Sequence, residues 1–306
     1  MAFIGFTLPS VLIMLALAML SSQLTETTTF HNVVHGLKLL AVVVVADAAW
    51  GMYKNFCKET LTVSLCLITA VALLLLPGIA TQMGILVLAA LIGSQCLANP
   101  PQSDSASFKP SLVPLMLFVV LLVGLPFASQ AIPALGLFND FFQAGSLVFG
   151  GGHVVLPLLQ NIVGDQISQD AFLTGYAAAQ AVPGPMFTFA TYIGYQLLPA
   201  APTAGALIAT IAVFLPGFLL LLGVLKNWQS LAHNPTISGA VNGVNASVVG
   251  LLVAALYQPV FISAVLSPLD ISLVLVGFYL LKQQKLAIIW LVSFFMVSGL
   301  AMGYWS

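Results

Sequence analysis

The chain has 306 residues, of which 60% are hydrophobic and 5% charged, and its formal net charge is −1. About a quarter of an ordinary soluble domain is charged, so this composition excludes one. There is no arginine and no basic patch, so nucleic acid is not an expected partner.

Apolar runs near the length of a membrane span recur from end to end, without the alternation of barrel strands. The expected fold class is all-α, a polytopic helical membrane protein in the lipid bilayer. The first expected span, residues 3–20, lacks the basic start of a signal peptide and is followed by further spans. The second covers 33–53. The third (61–77) and fourth (83–98) are short and joined by a tight turn. Residues 99–111, NPPQSDSASFKPS, are Pro/Ser-rich and read as a linker. The fifth span is 112–131. Two interrupted regions follow, 133–163 and 169–199, and then spans at 203–225, 236–262, 269–281 and 285–303. Cys57, Cys66 and Cys96 lack metal-site spacing and read as apolar filler, and no cofactor or metal is expected.

The interruptions carry the chemistry. Gly150-Gly151-Gly152, followed by His153, stands between two apolar segments, and Pro183-Gly184-Pro185 breaks the next region. Each glycine inside a helix costs roughly 1 kcal/mol relative to alanine, so a helix ends at three in a row. A break at membrane depth is tolerated only where it is buried in protein or lines a cavity. Half-helices starting near His153 and Pro185 would turn their positive N-termini toward the breaks, and successive N–H groups without side chains form an anion nest. The alternative is that the glycines serve close helix packing.

Few charged groups lie inside the spans. Lys38 and Asp47 are nine residues apart on the second span and face opposite sides, so they do not pair with each other. Lys38 lies near the span end, where snorkelling competes with function, and Asp47 is deeper. Asp140, Gln143 and Ser146 form a polar stripe before the glycine run. His153 is placed to bind an anion or exchange a proton, or else to bond a backbone carbonyl. Asn242 and Asn245 share one helix face, toward backbone or substrate. Tyr192 and Tyr195 read as packing or interfacial anchors.

An internal repeat is also legible. Phe6 to Pro9 matches Val213 to Pro216, Gly36 matches Gly243, and Trp50 matches Tyr257, each pair 207 positions apart (213−6, 243−36, 257−50). Residues 1–98 then form an incomplete first repeat, 99–111 the linker and 112–306 a complete second repeat. Loop lysines change sides between the repeats: Lys54 and Lys58 follow the second span, whereas Lys226, Lys282 and Lys285 flank other turns. That is the pattern of an inverted-topology repeat, with Met1 and Lys109 in the cytoplasm and the C-terminus outside.

FGGGHVVLPLL, followed by QAVPGPMFTFATYIGYQL at 180–197, resembles the paired signature of the chromate ion transporter family. GFTLPSVLIMLALAML at 5–20 resembles a segment of the family's first half, so the likeness covers nearly the whole chain. The resemblance implies an inner-membrane exporter of chromate that confers chromate resistance. It assigns substrate contacts to Gly150, Gly151, Gly152, Pro183, Gly184 and Pro185, with His153 adjoining. Sulfate, another tetrahedral dianion, is the competing substrate. Long family members carry both motifs in each half, and the first-half motifs are absent here. The chain is thus expected to begin within its first repeat. The alternatives are a non-transporting remnant, or a subunit completed by an N-terminal half or by a second copy in a homodimer. No Walker-type loop is present, so the energy would come from ion gradients, membrane potential or a partner, and His153 or Asp47 are candidates for proton coupling. An intramembrane enzyme is not expected, because no His-Glu-x-x-His, Gly-x-Ser-x-Gly or paired-aspartate motif occurs.

Overall fold

A computed structural model describes residues 2–24, 28–98, 111–148, 155–163, 166–182, 184–225 and 234–305. Among these residues the chain is helical, with no strand. The helices are α1 (Ala2–Leu24), α2 (Thr28–Phe56), α3 (Thr60–Leu75), α4 (Ile79–Cys96), α5 (Leu112–Ala131), α6 (Gly136–Ser146) and α7 (Val155–Val163). They continue as α8 (Gln169–Ala181), α9 (Phe189–Leu197), α10 (Pro202–Val224), α11 (Pro235–Ala255), α12 (Pro268–Lys282) and α13 (Ile288–Trp305). Four helices among the described residues are long and apolar enough to cross a membrane: His31–Phe56, Leu112–Ala131, Pro202–Val224 and Pro235–Ala264. The protein is a polytopic helical membrane protein. On α5 only Leu125 is buried, while Val113, Met116, Val120 and Phe127 are each more than 60% exposed. Such a face is stable only with lipid as its solvent.

Local chemistry sets the ends. Ser267 caps α12 by accepting from the Asp270 N–H, while the Asp270 carboxylate takes the Ser267 N–H at 2.9 Å. This reciprocal cap fixes the start of α12 at Pro268. Lys285 adopts φ 51°, which delays α13 to Ile288 rather than the expected 285. The run expected over 236–262 is interrupted at Leu256–Phe261. Pro259 has no N–H to continue the ladder, and Gln258 before it is extended, with φ −129° and ψ 116°.

One compact unit consists of Met1–Trp50, Val163–Thr210 and Ala255–Ser306. In it α1 packs across α8 and α9, and α13 packs on α8 and α12. Its aromatic centre is Phe172, Tyr176, Phe189 and Tyr192, with Phe189 edge-on to Phe172 and Tyr176 at 5.1 and 5.8 Å. The other unit consists of Gly51–Ile162 and Ile211–Ala254. There α3 pairs with α4 and α5 with α6, around the buried Phe141 and Phe142. The Thr69 and Ser247 hydroxyls meet at 2.7 Å.

Two helix crossings are built alike. In the first unit Gly36 of α2 and Gly299 of α13 touch. A Cβ on Gly36 would overlap the Phe295 carbonyl, and one on Gly299 would overlap the Asn32 carbonyl and approach the Gly36 nitrogen. In the second unit Gly243 of α11 and Gly93 of α4 touch. A Cβ on Gly243 would overlap the Ala89 carbonyl, and one on Gly93 would overlap the Gly239 carbonyl and approach the Gly243 nitrogen. Only glycine permits backbones this close.

Candidate functional site

The Pro-Gly-Pro interruption lies inside the first unit. Helix α8 ends at Ala181, and the Val182 N–H still reaches the Ala178 carbonyl at 3.0 Å. Gly184 then takes φ +150°, and a Cβ there would strike the Ser10 side chain of α1. Conformation and space both demand glycine at this point. The Thr188 N–H and hydroxyl each donate to the Pro185 carbonyl at 3.0 Å, closing the single turn Met186–Thr188 from which α9 departs. Thr188, Phe189 and Ala190 are buried, so α9 begins within protein. Opposite Gly184, Pro9 interrupts the hydrogen-bond ladder of α1, and Ser10 Oγ donates to the Phe6 carbonyl at 3.5 Å. A broken turn and a proline-weakened turn therefore face each other. Pro183 lies outside the described residues, as do Gly150, Gly151, Gly152 and His153; α7 begins at Val155 beyond them.

Two cavities open beside the first half of α2. One, of about 490 Å³, presents the hydroxyls of Ser21, Thr29, Thr174 and Tyr192 among apolar side chains such as Leu37 and Met296. Ser21 and Tyr192 are hydrogen-bonded to each other at 2.8 Å. Thr174 Oγ1 is buried with no hydrogen-bond partner among the described residues. The other, of about 880 Å³, is lined by Asn32, His35, Ser267, Asp270, Ser298 and Gly303 among others.

Three titratable groups of α2 are paired across helices. His35 Nε2 lies 2.8 Å from Asp270 Oδ1 of α12. Lys38 Nζ lies 2.7 Å from Asp170 Oδ1, in the first turn of α8. Asp47 pairs with Lys282, the last residue of α12. Helix α2 starts at Thr28, five residues before the expected 33, and buries Lys38 to 8% exposure. Its carboxylate partner Asp170 is itself about half exposed.

The stripe before the glycine run serves backbone. Gln143 donates to the Leu122 carbonyl at 2.8 Å and Ser146 to the Phe142 carbonyl at 2.7 Å, while Asp140 accepts from Asn139 at 3.1 Å. Asn242 is exposed and Asn245 half-buried on α11, in the second unit. Asp170 and Asp270 are not marked in the sequence, and Lys282 is marked there only as a charge flanking a turn. Each sits at a helix end rather than inside an apolar run. The Ser267-x-x-Asp270 spacing is a capping signature that marks α12, though not the histidine it meets.

The chromate transporter family profile matches residues 1–94 and 135–302. An uncharacterised transporter of Methanocaldococcus jannaschii is 28% identical over 263 residues, covering 83% of this chain and 64% of that protein. A chromate transport protein of Cupriavidus metallidurans is 26% identical over 295 residues, covering 93% of this chain and 70% of that protein. A chromate transport protein of Pseudomonas aeruginosa is 35% identical over 118 residues, covering 38% and 28%. The chain thus spans less than two thirds of the length of some of these relatives. No solved structure matches it.

Proposed function

The chain belongs to the chromate transporter family, and from that premise we propose that it is a secondary transporter exporting chromate across the inner membrane. The anion is held at two helix breaks, by the backbone N–H groups of Gly150 to Gly152 with His153, and at Pro183 to Pro185 by the N–H of Gly184, since the prolines have none. The supporting observation is the Gly184 turn: it has no side chain, it is pressed against the proline-weakened turn of α1, and it delivers the start of α9 into buried protein. The start of α9 carries the positive end of its helix dipole, while its Thr188 and Phe189 N–H groups are taken up in the turn before it. His35, Lys38 and Asp47 of α2, in contrast, are each paired with a side chain of another helix. Asn242 and Asn245 are proposed as additional hydrogen-bonding groups toward the anion.

An inverted repeat is part of this proposal. The Gly36–Gly299 and Gly93–Gly243 crossings support it, because Gly36 and Asn32 match Gly243 and Gly239 at an offset of 207. Each compact unit then combines a first-span pair from one repeat with a last-span pair from the other. Substrate sites at such repeat interfaces are the general transporter pattern.

Chromate accumulation in cells expressing the chain tests the reading. Lower accumulation than in control cells is expected. Its loss is expected when Gly151 and Gly152 are replaced by leucine, with the amount of protein in the membrane unchanged. Normal export by that variant would remove the amide nest. Protection against accumulated sulfate but not chromate would reassign the substrate.

A further inference from the structure

We propose that His35 and Asp270 form the proton-binding site that couples anion movement to a proton gradient. This rests on the transport reading above. The first observation is geometric. The pair forms part of the wall of the 880 Å³ cavity, with the imidazole 26% exposed and the carboxylate only 3%. Asp270 Oδ2 accepts from the Leu266 N–H, the Ser267 N–H and the Ser267 hydroxyl at 3.0, 2.9 and 3.0 Å. Oδ1 faces His35 Nε2. With its oxygens so occupied, the carboxylate stays a hydrogen-bond acceptor, and the exchanging proton belongs to the imidazole. Nε2–H donates to Asp270 in both states, and Nδ1 takes up or releases the proton.

The second observation is an asymmetry between matched positions. At an offset of 207, His35, Lys38 and Asp47 correspond to Asn242, Asn245 and Ala254. At an offset of 208, Ser267 and Asp270 correspond to Glu59 and Thr62 (267−59, 270−62). Thr62 Oγ1 accepts from the Glu59 N–H at 3.0 Å, just as Asp270 accepts from the Ser267 N–H. Each cap contains one carboxylate, but it stands at the cap position in Glu59 and three residues later in Asp270, and only the latter meets a histidine. The same helix framework forms with Asn and Thr, so the His–Asp pair exceeds what the fold requires.

Other titratable and charged groups lie along the same helices. On α2, His31 lies one turn before it and Lys38 three residues after, the latter occupied by Asp170 of α8. On α12 the next charged residue is Lys282, occupied by Asp47. Helix α13 carries no charged residue. Proton uptake converts a neutral hydrogen bond between α2 and α12 into an ion pair, and release reverses it, so one proton changes how firmly these helices are joined.

The experiment uses the purified full chain in liposomes with an entrapped pH dye. An imposed chromate gradient drives flux, and protons moved per chromate are counted against protein-free liposomes. The unaltered chain is expected to move a fixed number of protons per anion. His35→Gln, which keeps a donor to Asp270 but cannot titrate, is expected to bring that ratio close to zero for whatever chromate flux remains. The paired change His35→Asn with Asp270→Thr installs the residues of the matched positions and guards against a folding defect; it is expected to do the same. An unchanged ratio in either variant, with the protein monodisperse in detergent, would overturn the proposal and leave transport standing. Chromate exchange by the unaltered chain with no proton movement would also overturn it. Absence of chromate exchange altogether would instead overturn the transport reading on which it rests.

Discussion

His35 Nε2 stands 2.8 Å from Asp270 Oδ1, and twelve residues further along each helix (47−35, 282−270) Asp47 meets Lys282. Equal spacing in the same direction means that α2 and α12 run parallel over about 18 Å. They are clasped at both ends by pairs of opposite sense: the basic side chain comes from α2 at one end and from α12 at the other.

Removing one member of the outer clasp leaves a half-buried charge without its partner. Lys282→Met is expected to destabilise the protein by about 1–3 kcal/mol. Asp47→Ala combined with Lys282→Met is expected to recover part of that loss, because alanine already stands at the matched position 254. Thermal unfolding in detergent, followed by tryptophan fluorescence, measures both. A Lys282→Met variant as stable as the unaltered chain would mean that the pair contributes nothing.

Gly184→Ala faces two separate obstacles, the φ of +150° and the overlap with Ser10. The backbone strain alone costs about 1–3 kcal/mol. The variant is expected to lose chromate export. Adding Ser10→Gly relieves only the overlap, so thermal stability should return partly and not fully. Full recovery would show that the backbone conformation at this turn relaxes readily.

Gly36→Ala and Gly243→Ala are expected to lower the unfolding temperature by comparable amounts, since each would drive a methyl group into a neighbouring helix carbonyl, of Phe295 or of Ala89. A large loss for one and none for the other, read from the same melts, would argue against equivalent crossings.

Much of this fold is legible in hydropathy, and the exceptions have definite causes. Helix α5 begins and ends at Leu112 and Ala131, as the apolar run dictates, because only lipid contacts most of its surface. Helix α2 extends back through Thr-Thr-Phe-His-Asn, which hydropathy reads as loop. The Asn32 carbonyl packs on Gly299, and the Asn32 side chain lies where a side chain on Gly303 would stand, so α13 supports the polar turns. The Pro-Gly-Pro break was marked by its own residues, whereas the glycine-dependent crossings were not read from the sequence. The partners of Lys38 and Asp47 were not, because an ion pair between α2 and α8 or α12 depends on how distant helices pack, which no local pattern records.

Burial pushes the Cys57 thiol up to about 12, with Cys66 beside it adding to the shift. A raised folded-state value leaves only about one molecule in 10,000 as thiolate at pH 8. Cys96 is exposed. Maleimide at pH 8 is expected to label Cys96 and spare Cys57, with the adduct located by mass spectrometry of digested protein. Labelling of Cys57 in the folded protein at a rate like that of Cys96 would contradict the burial.

The glycine crossings also have a genetic consequence. Every amino-acid change reachable from a glycine codon by one base adds at least a methyl group, so at Gly36, Gly93, Gly243 and Gly299 each such mutation is a collision. On α5 most single-base changes from leucine or valine codons yield another apolar residue, and the bilayer accepts it. Inherited variation in this chain should therefore collect on its lipid-facing helices and be purged from the lines where two backbones touch.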